Sequence, residues 1–556
     1  MKFSFDKFKF NKNNLIFLIF LFFFSFIIII FCFFSAESKK KTKSDFKDTL
    51  FIGTSSEIKN GFGMFGEGEN TINNAQVRNL IHEYLIKPFE VKKNSYFETE
   101  YQPQLIKKMP IIIKQGIWQD YHEFELKTDI KFHNGDELTS DDIIETLELN
   151  RDTQGEHSQF IEKFAKSPEL DKKYKFYIKF KNNKDLLNYH HLSKIPVINK
   201  KVKNQNPQIF RNIGLGSFKL KKFDPITKKV ELEIFPDYYN FKLSPSNDLS
   251  NIKKIIIIFI PSLQTLYMNL EKGELDLILE NMEQVYLEKM QNNKNLKLIE
   301  NENLNLTYII LNSNSLSIEN RKSIVQELTP NIKEEILKDL GEDLSYYQTL
   351  NVFSDNRLKG SSLSNQEFEN IIRNDNNVKA SKPIRQIRAL FTNIDETKNR
   401  FMNKFIDKLV NEKGFQIEKI QLEKNETISK AKKGDFDIFC LTEYLENTFV
   451  HYLLNIYFGQ INTSSSNVFE NSEAYLNVSR LNEPSIYNVI EKLKRTDFNS
   501  DLYEEEIKKL HSLLIKKYVA IPLFQINKIR NFVRSNIENY NMNIFGEINW
   551  LKIKKK

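Results

Sequence analysis

The stretch of the chain that most constrains its fold is residues 124–149. It begins with apolar residues at a two-residue period, as in a half-buried strand: Phe124, Leu126 and Ile130. Asn134-Gly135-Asp136 then predicts a tight turn. Thr139, followed by Asp142 three residues later, predicts a capped helix. The stretch is therefore predicted to be strand, turn and helix, and a structural unit rather than a catalytic one.

The sequence of this stretch resembles the signature of the family 5 extracellular solute-binding proteins, which are oligopeptide, dipeptide and nickel receptors of ABC importers. The matching positions are Phe124, Leu126, Phe132, His133, Gly135, Leu138, Thr139 and Asp142. The positions that differ are Asn134, Glu137, Ser140 and Ile143. All four are mild changes, so the resemblance stands.

Further motifs of the same family follow in order along the chain. The segment Gly214-Leu215-Gly216-Ser217-Phe218 resembles the family's "G-T-G-P-Y", and Val519 to Gln525 resembles its "V-I-P-L-Y" strand. Gly214 and Gly216 are expected to adopt backbone angles that other residues cannot reach. In Ile252 to Leu279, Gly273, Glu274 and Asp276 match "G-E-I-D".

The residues of that last segment predict a β-α-β unit without help from the resemblance. Ile255 to Ile260 is an apolar run of strand length, and Ser262 can cap a following helix. Gly273 is a helix stop, and Leu275 to Leu279 is predicted to be a second strand. Thr49 to Thr54 reads as the first strand of the fold.

The net charge lies at the two ends of the 556-residue chain. Of the formal charge of +8, the first 43 residues contribute +6 and the last five contribute +4, so the remainder carries −2. A nearly neutral body argues against a nucleic-acid-binding surface. The composition, 40% apolar and 28% charged, is that of a globular protein with room for two or three domains.

The N-terminus predicts export. Four lysines precede an apolar run from Leu15 to Phe34, which is long enough to span a bilayer. Residues 1–38 are interpreted as a signal peptide cleaved after Ser38 or, alternatively, as an uncleaved membrane anchor. Phe31 precedes Cys32, which argues against lipidation of that cysteine. Cys440 is expected to be buried, and it has no partner for a disulfide once the signal is removed.

Other candidate sites are weak. Gly61 to Gly66 is formally G-x-G-x-x-G, but it lies too far from the preceding strand for a dinucleotide site and is interpreted as a flexible loop at the edge of a cleft. His82-Glu83 and His122-Glu123 lack the second histidine of a zinc protease. The pair His190-His191 is interpreted as part of a solvated loop. No catalytic residue, metal site or cofactor is predicted.

The resemblance implies an α/β fold of two lobes, similar to periplasmic binding proteins, with an extra subdomain and two crossover strands between the lobes. Lobe I is expected at 47–85, 212–285 and 527–556, with the extra subdomain at 86–211 and lobe II at 286–526. The resemblance also implies a periplasmic or cell-envelope receptor, expected to be monomeric, that captures a small peptide or another solute and delivers it to an ABC permease.

Two other classes of function fit the sequence less well. A secreted hydrolase has no positive support, because the sequence contains no G-x-S-x-G, H-E-x-x-H or C-x-x-C motif. A membrane-tethered sensor is favoured only if the apolar N-terminus is retained. Peptide is the expected ligand, with nickel complexes, sugars and opines as alternatives on the same scaffold.

The resemblance also places the candidate ligand-binding residues. Peptide receptors of this type carry an aspartate, soon after a strand ending in tryptophan, that can bind the peptide's ammonium group. Here the strand is Asp435 to Tyr444, and Glu446 stands near the position of that aspartate. Glu446 and Tyr444 are therefore the predicted ligand-binding residues. The alternative is that Glu443 and Glu446 are ordinary solvated carboxylates.

Overall fold

The computed structural model describes residues 47–65, 72–93, 96–153, 157, 160–168, 172–182, 186–242, 249–282, 284–373, 378–381, 386–392, 396–460 and 477–556. The predicted signal peptide or anchor therefore lies outside the described residues. Among the described residues, no helix is both long enough and apolar enough to cross a membrane.

The strands, in chain order, are β1 (Thr49–Thr54), β2 (Ile86–Lys92), β3 (Phe97–Pro103), β4 (Ile111–Ile112), β5 (His122–Glu125), β6 (Ile161–Lys166), β7 (Lys175–Phe180), β8 (Phe218–Phe223), β9 (Val230–Ile234), β10 (Lys254–Phe259), β11 (Leu277–Ile278), β12 (Leu296–Glu302), β13 (Asn305–Leu311), β14 (Tyr347–Thr349), β15 (Ile387–Thr392), β16 (Ile417–Leu422), β17 (Ile438–Tyr444), β18 (Ala520–Ile526), β19 (Lys528–Arg534), β20 (Ile537–Glu538) and β21 (Lys554–Lys555).

The α-helices are α1 (Ile72–Ile81), α2 (Ser140–Asp152), α3 (Leu187–Leu192), α4 (Lys200–Gln205), α5 (Leu263–Lys272), α6 (Gln284–Met290), α7 (Ile318–Val325), α8 (Pro330–Asp339), α9 (Asn365–Arg373), α10 (Glu396–Asn411), α11 (Lys424–Lys433), α12 (Val450–Phe458), α13 (Pro484–Leu493) and α14 (Asp501–Lys516).

Lobe I contains a five-stranded sheet in the order β11-β1-β10-β9-β8. Strand β1 pairs in parallel with both β10 and β11, and β9 pairs antiparallel to β10. Alternation along β1 sends Leu50 and Ile52 into one apolar core and Phe51 against another on the opposite face. The sheet is therefore covered on both sides.

The β-α-β unit predicted from the sequence is confirmed in lobe I. The side chain of Ser262 accepts a hydrogen bond from the amide of Thr265 at 3.2 Å and caps α5. Gly273 ends the helix with φ of +81°, a left-handed conformation that favours glycine. Strands β10 and β11 flank this helix as predicted.

The extra subdomain is built around a four-stranded antiparallel sheet, β4-β5-β7-β6, and a β2-β3 hairpin. The signature segment lies here. Phe124 and Leu126 are fully buried, and α2 begins after Thr139, whose amide donates to the carboxylate of Asp142 at 2.9 Å. The predicted strand, turn and capped helix are confirmed.

Lobe II contains a six-stranded mixed sheet in the order β14-β18-β13-β17-β15-β16, surrounded by a large apolar core. Cys440 is buried in the middle of β17, as expected. Two strands connect this lobe with lobe I. These strands, β12 and β19, pair antiparallel along seven residue pairs, from Leu296 opposite Arg534 to Glu302 opposite Lys528. The sequence predicted two crossover strands without assigning residues to them, and we call this pair the hinge ladder.

Candidate functional site

The signature segment serves as a scaffold. The amide of His133 donates to the carbonyl of Gly214 at 2.9 Å, and its Nε2 lies 3.0 Å from the carbonyl oxygen of Gly216. Burial lowers the pKa of His133 to about 4, so the ring is neutral at pH 7. Two family motifs, far apart in sequence, therefore hold each other in place.

The expected reason for the glycines at 214 and 216 was wrong. Neither residue has a positive φ. Instead, a Cβ on Gly214 would lie 2.0 Å from the carbonyl oxygen of Ile81, and one on Gly216 would lie 2.3 Å from that of Leu80. These positions need glycine because the chain passes directly over the end of α1.

The loop at Gly61 is also different from its expected form. Its described part, Gly61 to Phe65, is packed: Phe62 is fully buried and Met64 is 1% exposed, each in an apolar core. The interpretation as a flexible cleft-edge loop was therefore wrong for these residues. Gly66, the last glycine of the motif, lies outside the described residues.

The predicted ligand-binding residues line a cavity of about 110 Å³ between lobe II and the extra subdomain. Tyr444 is the last residue of β17, and Glu446 lies in the loop that joins this strand to α12. The other lining residues are His190, Leu358, Glu443, Leu445, Asn447, Phe449, Val450, Tyr452, Leu453, Ile456 and Tyr457. We call this space the cleft cavity.

The local sequence explains why the loop that contains Glu446 lies at the cleft cavity. Strand β17 is buried where Ile438 to Cys440 pass through the lobe II core, and it becomes half-buried toward Tyr444. Helix α12 is almost entirely apolar, so it packs back against the same core. The short connection between the two elements must therefore lie at the edge of the lobe, where polar residues can face the extra subdomain.

Glu446 is partly exposed to solvent and also forms an ion pair. Its carboxylate lies 3.1 Å from the Nζ of Lys194, a residue of the extra subdomain that follows α3. The Glu446 side chain keeps 52% of its surface exposed, whereas that of Lys194 keeps 15%. Attraction by Lys194 lowers the pKa of Glu446 and outweighs the loss of hydration, which would raise it. The carboxylate is therefore ionised at pH 7.

Glu443 also has a partner in the cavity wall, because the hydroxyl of Tyr457 donates to its carboxylate. Tyr444 itself is half-buried. Glu443 at the end of β17 and Glu446 in the following loop thus each contact another side chain of the protein.

Other polar contacts surround the cleft cavity and connect the same two parts of the chain. The amide of Thr99 donates to the hydroxyl of Thr448 at 2.8 Å, and the amide of Thr448 donates to the hydroxyl of Thr99 at 3.1 Å. The Asn182 side chain donates to the carbonyl of Lys494 at 3.2 Å. Phe97 inserts into the lobe II core. This face of the extra subdomain is therefore closed on lobe II.

The interpretation of His190 and His191 as part of a solvated loop was wrong. Both residues lie in α3, and His190 is only 1% exposed. The Asn447 side-chain amide donates to the Nε2 of His190 at 3.3 Å, and the ring of Tyr452 packs against both histidines. Burial lowers the pKa of each well below its usual range. Asn447 and Tyr452, which contact these histidines, belong to lobe II and lie far away in sequence.

The described residues contain no group of three or more histidine, cysteine or acidic side chains arranged to hold a metal ion. The cleft cavity instead offers carboxylate, amide, phenol and apolar groups. Such a lining suits the reversible binding of an organic solute. At about 110 Å³ the cavity is smaller than the roughly 300–1,000 Å³ typical of small-molecule sites. A larger solute could enter only if lobe II and the extra subdomain moved apart.

Comparison with known proteins agrees with this architecture. Residues 115–339 match the model of the bacterial extracellular solute-binding proteins, family 5 middle region. No curated protein sequence matches the chain. Among solved structures, the chain is similar to the oligopeptide-binding protein AppA from Bacillus subtilis in complex with a nonapeptide, with 16% identity and a TM-score of 0.69 over 91% of this chain and 99% of that one.

Two further structures have the same fold. A dipeptide-binding protein from Pseudoalteromonas in complex with Met-Leu has 13% identity and a TM-score of 0.69, covering 91% of this chain and 100% of that one. NikZ from Campylobacter jejuni in complex with Ni(L-His) has 15% identity and a TM-score of 0.69, covering 92% and 100%. Residues 115–339 are thus similar to the family that the sequence motifs resemble, and the solved structures show that the chain has the predicted two-lobed fold.

Proposed function

We propose that this protein is the extracytoplasmic receptor of an ABC importer, and that it captures short peptides by closing the extra subdomain and lobe II over them. The observation that carries the proposal is an ionised carboxylate, Glu446, that is half-exposed in a cavity between these two parts of the chain. A carboxylate in such a place can bind the ammonium group of a peptide. Tyr444 lines the same cavity.

The contacts on the two sides of the molecule support a closing motion. The hinge ladder joins the lobes through continuous backbone pairing, whereas the contacts at the cleft cavity are made largely by side chains. Side-chain contacts can be replaced by contacts to a ligand without unfolding an element. Closure around a ligand is the usual way in which two-lobed binding proteins report occupancy.

The similar structures with bound nonapeptide and Met-Leu support peptide as the solute, and the fold supports a permease as the partner. We propose that the protein acts as a monomer, performs no covalent chemistry and is exported by its N-terminal segment. The lobe boundaries expected from the sequence are part of this proposal. N-terminal sequencing of the mature protein decides between a cleaved signal peptide and a retained anchor.

Native mass spectrometry of the protein, purified without refolding, tests the proposed function. We expect the spectrum to contain additional masses that dissociate on activation and that tandem fragmentation identifies as short peptides. A nickel complex, sugar or opine in their place would contradict the peptide proposal. Hydrolysis of peptides that survives repurification and is lost on a single substitution would contradict a receptor without enzymatic activity.

A further inference from the structure

The ammonium group of Lys194 already occupies the side of Glu446 that faces the extra subdomain. The two groups are 3.1 Å apart, and only 15% of the Lys194 side chain is exposed. Burial by itself would lower the pKa of Lys194, but the nearby carboxylates of Glu446 and Glu547 together raise it. Lys194 is therefore a fixed cation beside Glu446, which lines the cleft cavity.

A solute ammonium that approaches Glu446 must compete with this cation. If the solute displaces Lys194, Glu446 exchanges one ammonium partner for another, and the gain in electrostatic energy is small. If Lys194 stays, the incoming ammonium meets a like charge nearby. In both cases Lys194 reduces the advantage that a free amino group would otherwise have.

Glu547 is a second carboxylate whose charge favours the protonated form of Lys194. Its carboxylate attracts Lys194 from the C-terminal segment, independently of lobe II. It is held by the side-chain amide of Asn543, which donates to it at 3.0 Å. When lobe II moves away, Lys194 thus retains a nearby negative charge.

We propose that Lys194 is a specificity-determining residue: it acts as a built-in competitor for the cation site on Glu446, so the receptor discriminates only weakly between peptides with free and with blocked amino termini. This inference rests on the proposed function, because it assumes that peptides reach Glu446. It differs from that function in what it predicts: removal of Lys194 increases binding of one class of peptide and leaves the other class unchanged.

The experiment compares the wild type with Lys194→Met by calorimetry, with trialanine and N-acetyl-trialanine as probes at pH 7. Methionine keeps the length of the apolar stem, and Lys194→Arg keeps the charge. Lys517→Met serves as a matched control, because Lys517 pairs with Glu483 at 2.6 Å within lobe II and neither residue lines the cleft cavity. Thermal unfolding of each variant shows whether it is folded.

We expect Lys194→Met to bind trialanine about tenfold more tightly than the wild type, or better, and to bind the acetylated peptide as before. Lys194→Arg and Lys517→Met should behave like the wild type. If the wild type binds neither peptide while Lys194→Met binds trialanine alone, Lys194 is still a competitor, but the peptide-receptor function fails for the native chain.

Two results would overturn the inference. One is that the wild type and Lys194→Met discriminate equally between trialanine and its acetylated form. That result would leave the receptor function intact, and the Lys194–Glu446 pair would be only a structural contact. The other is binding of neither peptide by any folded variant, which would mean that Glu446 offers no cation site. Tighter binding of both peptides by Lys194→Met would also count against the inference, because the substitution would then act on closure of the cleft and not on competition for Glu446.

Discussion

Two lysine–carboxylate pairs in different regions of this protein are similar in chemistry and different in surroundings. In lobe I, Lys555 lies 2.7 Å from Asp276, and the two side chains are 8% and 7% exposed. At the cleft cavity, Lys194 lies 3.1 Å from Glu446, whose side chain is 52% exposed. The first pair lies within one lobe, and the second connects two parts of the chain that we propose to separate.

The lobe I pair belongs to a network of backbone contacts. Asp276 Oδ2 accepts from the amide of Phe51 at 2.9 Å as well as from Lys555, and Lys555 also donates to the carbonyl of Thr49 at 2.9 Å. The amide of Arg534 donates to the carbonyl of Asp276 at 2.9 Å. One family motif residue thus connects β1, β11, the end of the hinge ladder and the C-terminus.

This difference indicates which charges can take part in binding. A buried pair with several further hydrogen bonds cannot exchange partners without disrupting the elements it joins. A pair with a half-exposed carboxylate can, because water or a ligand can reach one side of it.

Asp276→Ala should destabilise the protein by about 3–5 kcal/mol, because it leaves the buried ammonium of Lys555 without its carboxylate. Urea unfolding at pH 7 measures the change. The matched variant Glu446→Ala should cost less than about 1 kcal/mol, since its carboxylate is half-exposed. Similar losses of stability for the two variants would show that the buried and the half-exposed pair do not differ in their contribution to folding.

Lys333 extends the comparison to a lysine held by carbonyl groups. It is fully buried in lobe II and donates to the carbonyl oxygens of Leu350 and of Pro522, the latter at 3.0 Å. Burial lowers its pKa from 10.5 to about 7. Between about pH 7 and pH 10.5, Lys333 is protonated in the unfolded chain and neutral in the folded protein. Its contribution to the free energy of unfolding is therefore largest above pH 10.5 and is lost as the pH falls to about 7.

We therefore expect the unfolding free energy of the wild type, minus that of Lys333→Met, to rise by a few kcal/mol between pH 7 and pH 10. Urea titrations of both proteins at several pH values measure this difference, and ligand affinity should not change. A difference that stays constant with pH would mean that Lys333 is charged in the folded state.

Gly135, in the signature turn, allows the scaffold and the ligand site to be distinguished at a position without charge. Its φ is +90°, and a Cβ there would meet no atom within 4 Å, so the cost of a side chain comes from backbone strain alone. Gly135→Val should lose about 1–3 kcal/mol, with ligand affinity nearly unchanged in the folded fraction.

Gly341, which has φ of +74° and an equally open environment, provides the control for this strain. Gly341→Val should lose a similar amount of stability. If Gly135→Val remained stable but lost binding, the signature turn would belong to the ligand site and not to the scaffold.

The sequence was sufficient for features that depend on neighbouring residues. Strand β1 has the predicted bounds, Thr49–Thr54, and α5 has the predicted cap at Ser262 and the predicted end at Gly273. Hydrophobic period and capping chemistry act over a few residues, so they can be read from a single chain. The order of the family motifs then supplied the two-lobed fold.

Features that depend on distant segments could not be read in the same way. His190 is buried because Asn447 and Tyr452 of lobe II cover it, and Gly214 must be glycine because the end of α1 passes beneath it. The pairing of Glu446 with Lys194 likewise joins two segments with no common motif. The sequence identified Glu446 as a candidate but gave no sign of its partner.

Calorimetry of Glu446→Gln and the wild type, with a free-amino peptide and its N-acetylated form as ligands, tests whether Glu446 binds the amino group of a peptide. We expect the substitution to weaken the free-amino peptide about tenfold or more and to leave the acetylated one nearly unaffected, because without the carboxylate the charge of Lys194 is no longer offset and repels the ammonium group that only the former carries. Equal affinity of both proteins for the free-amino peptide would contradict it, remove Glu446 from the ligand site and favour a solute other than a peptide.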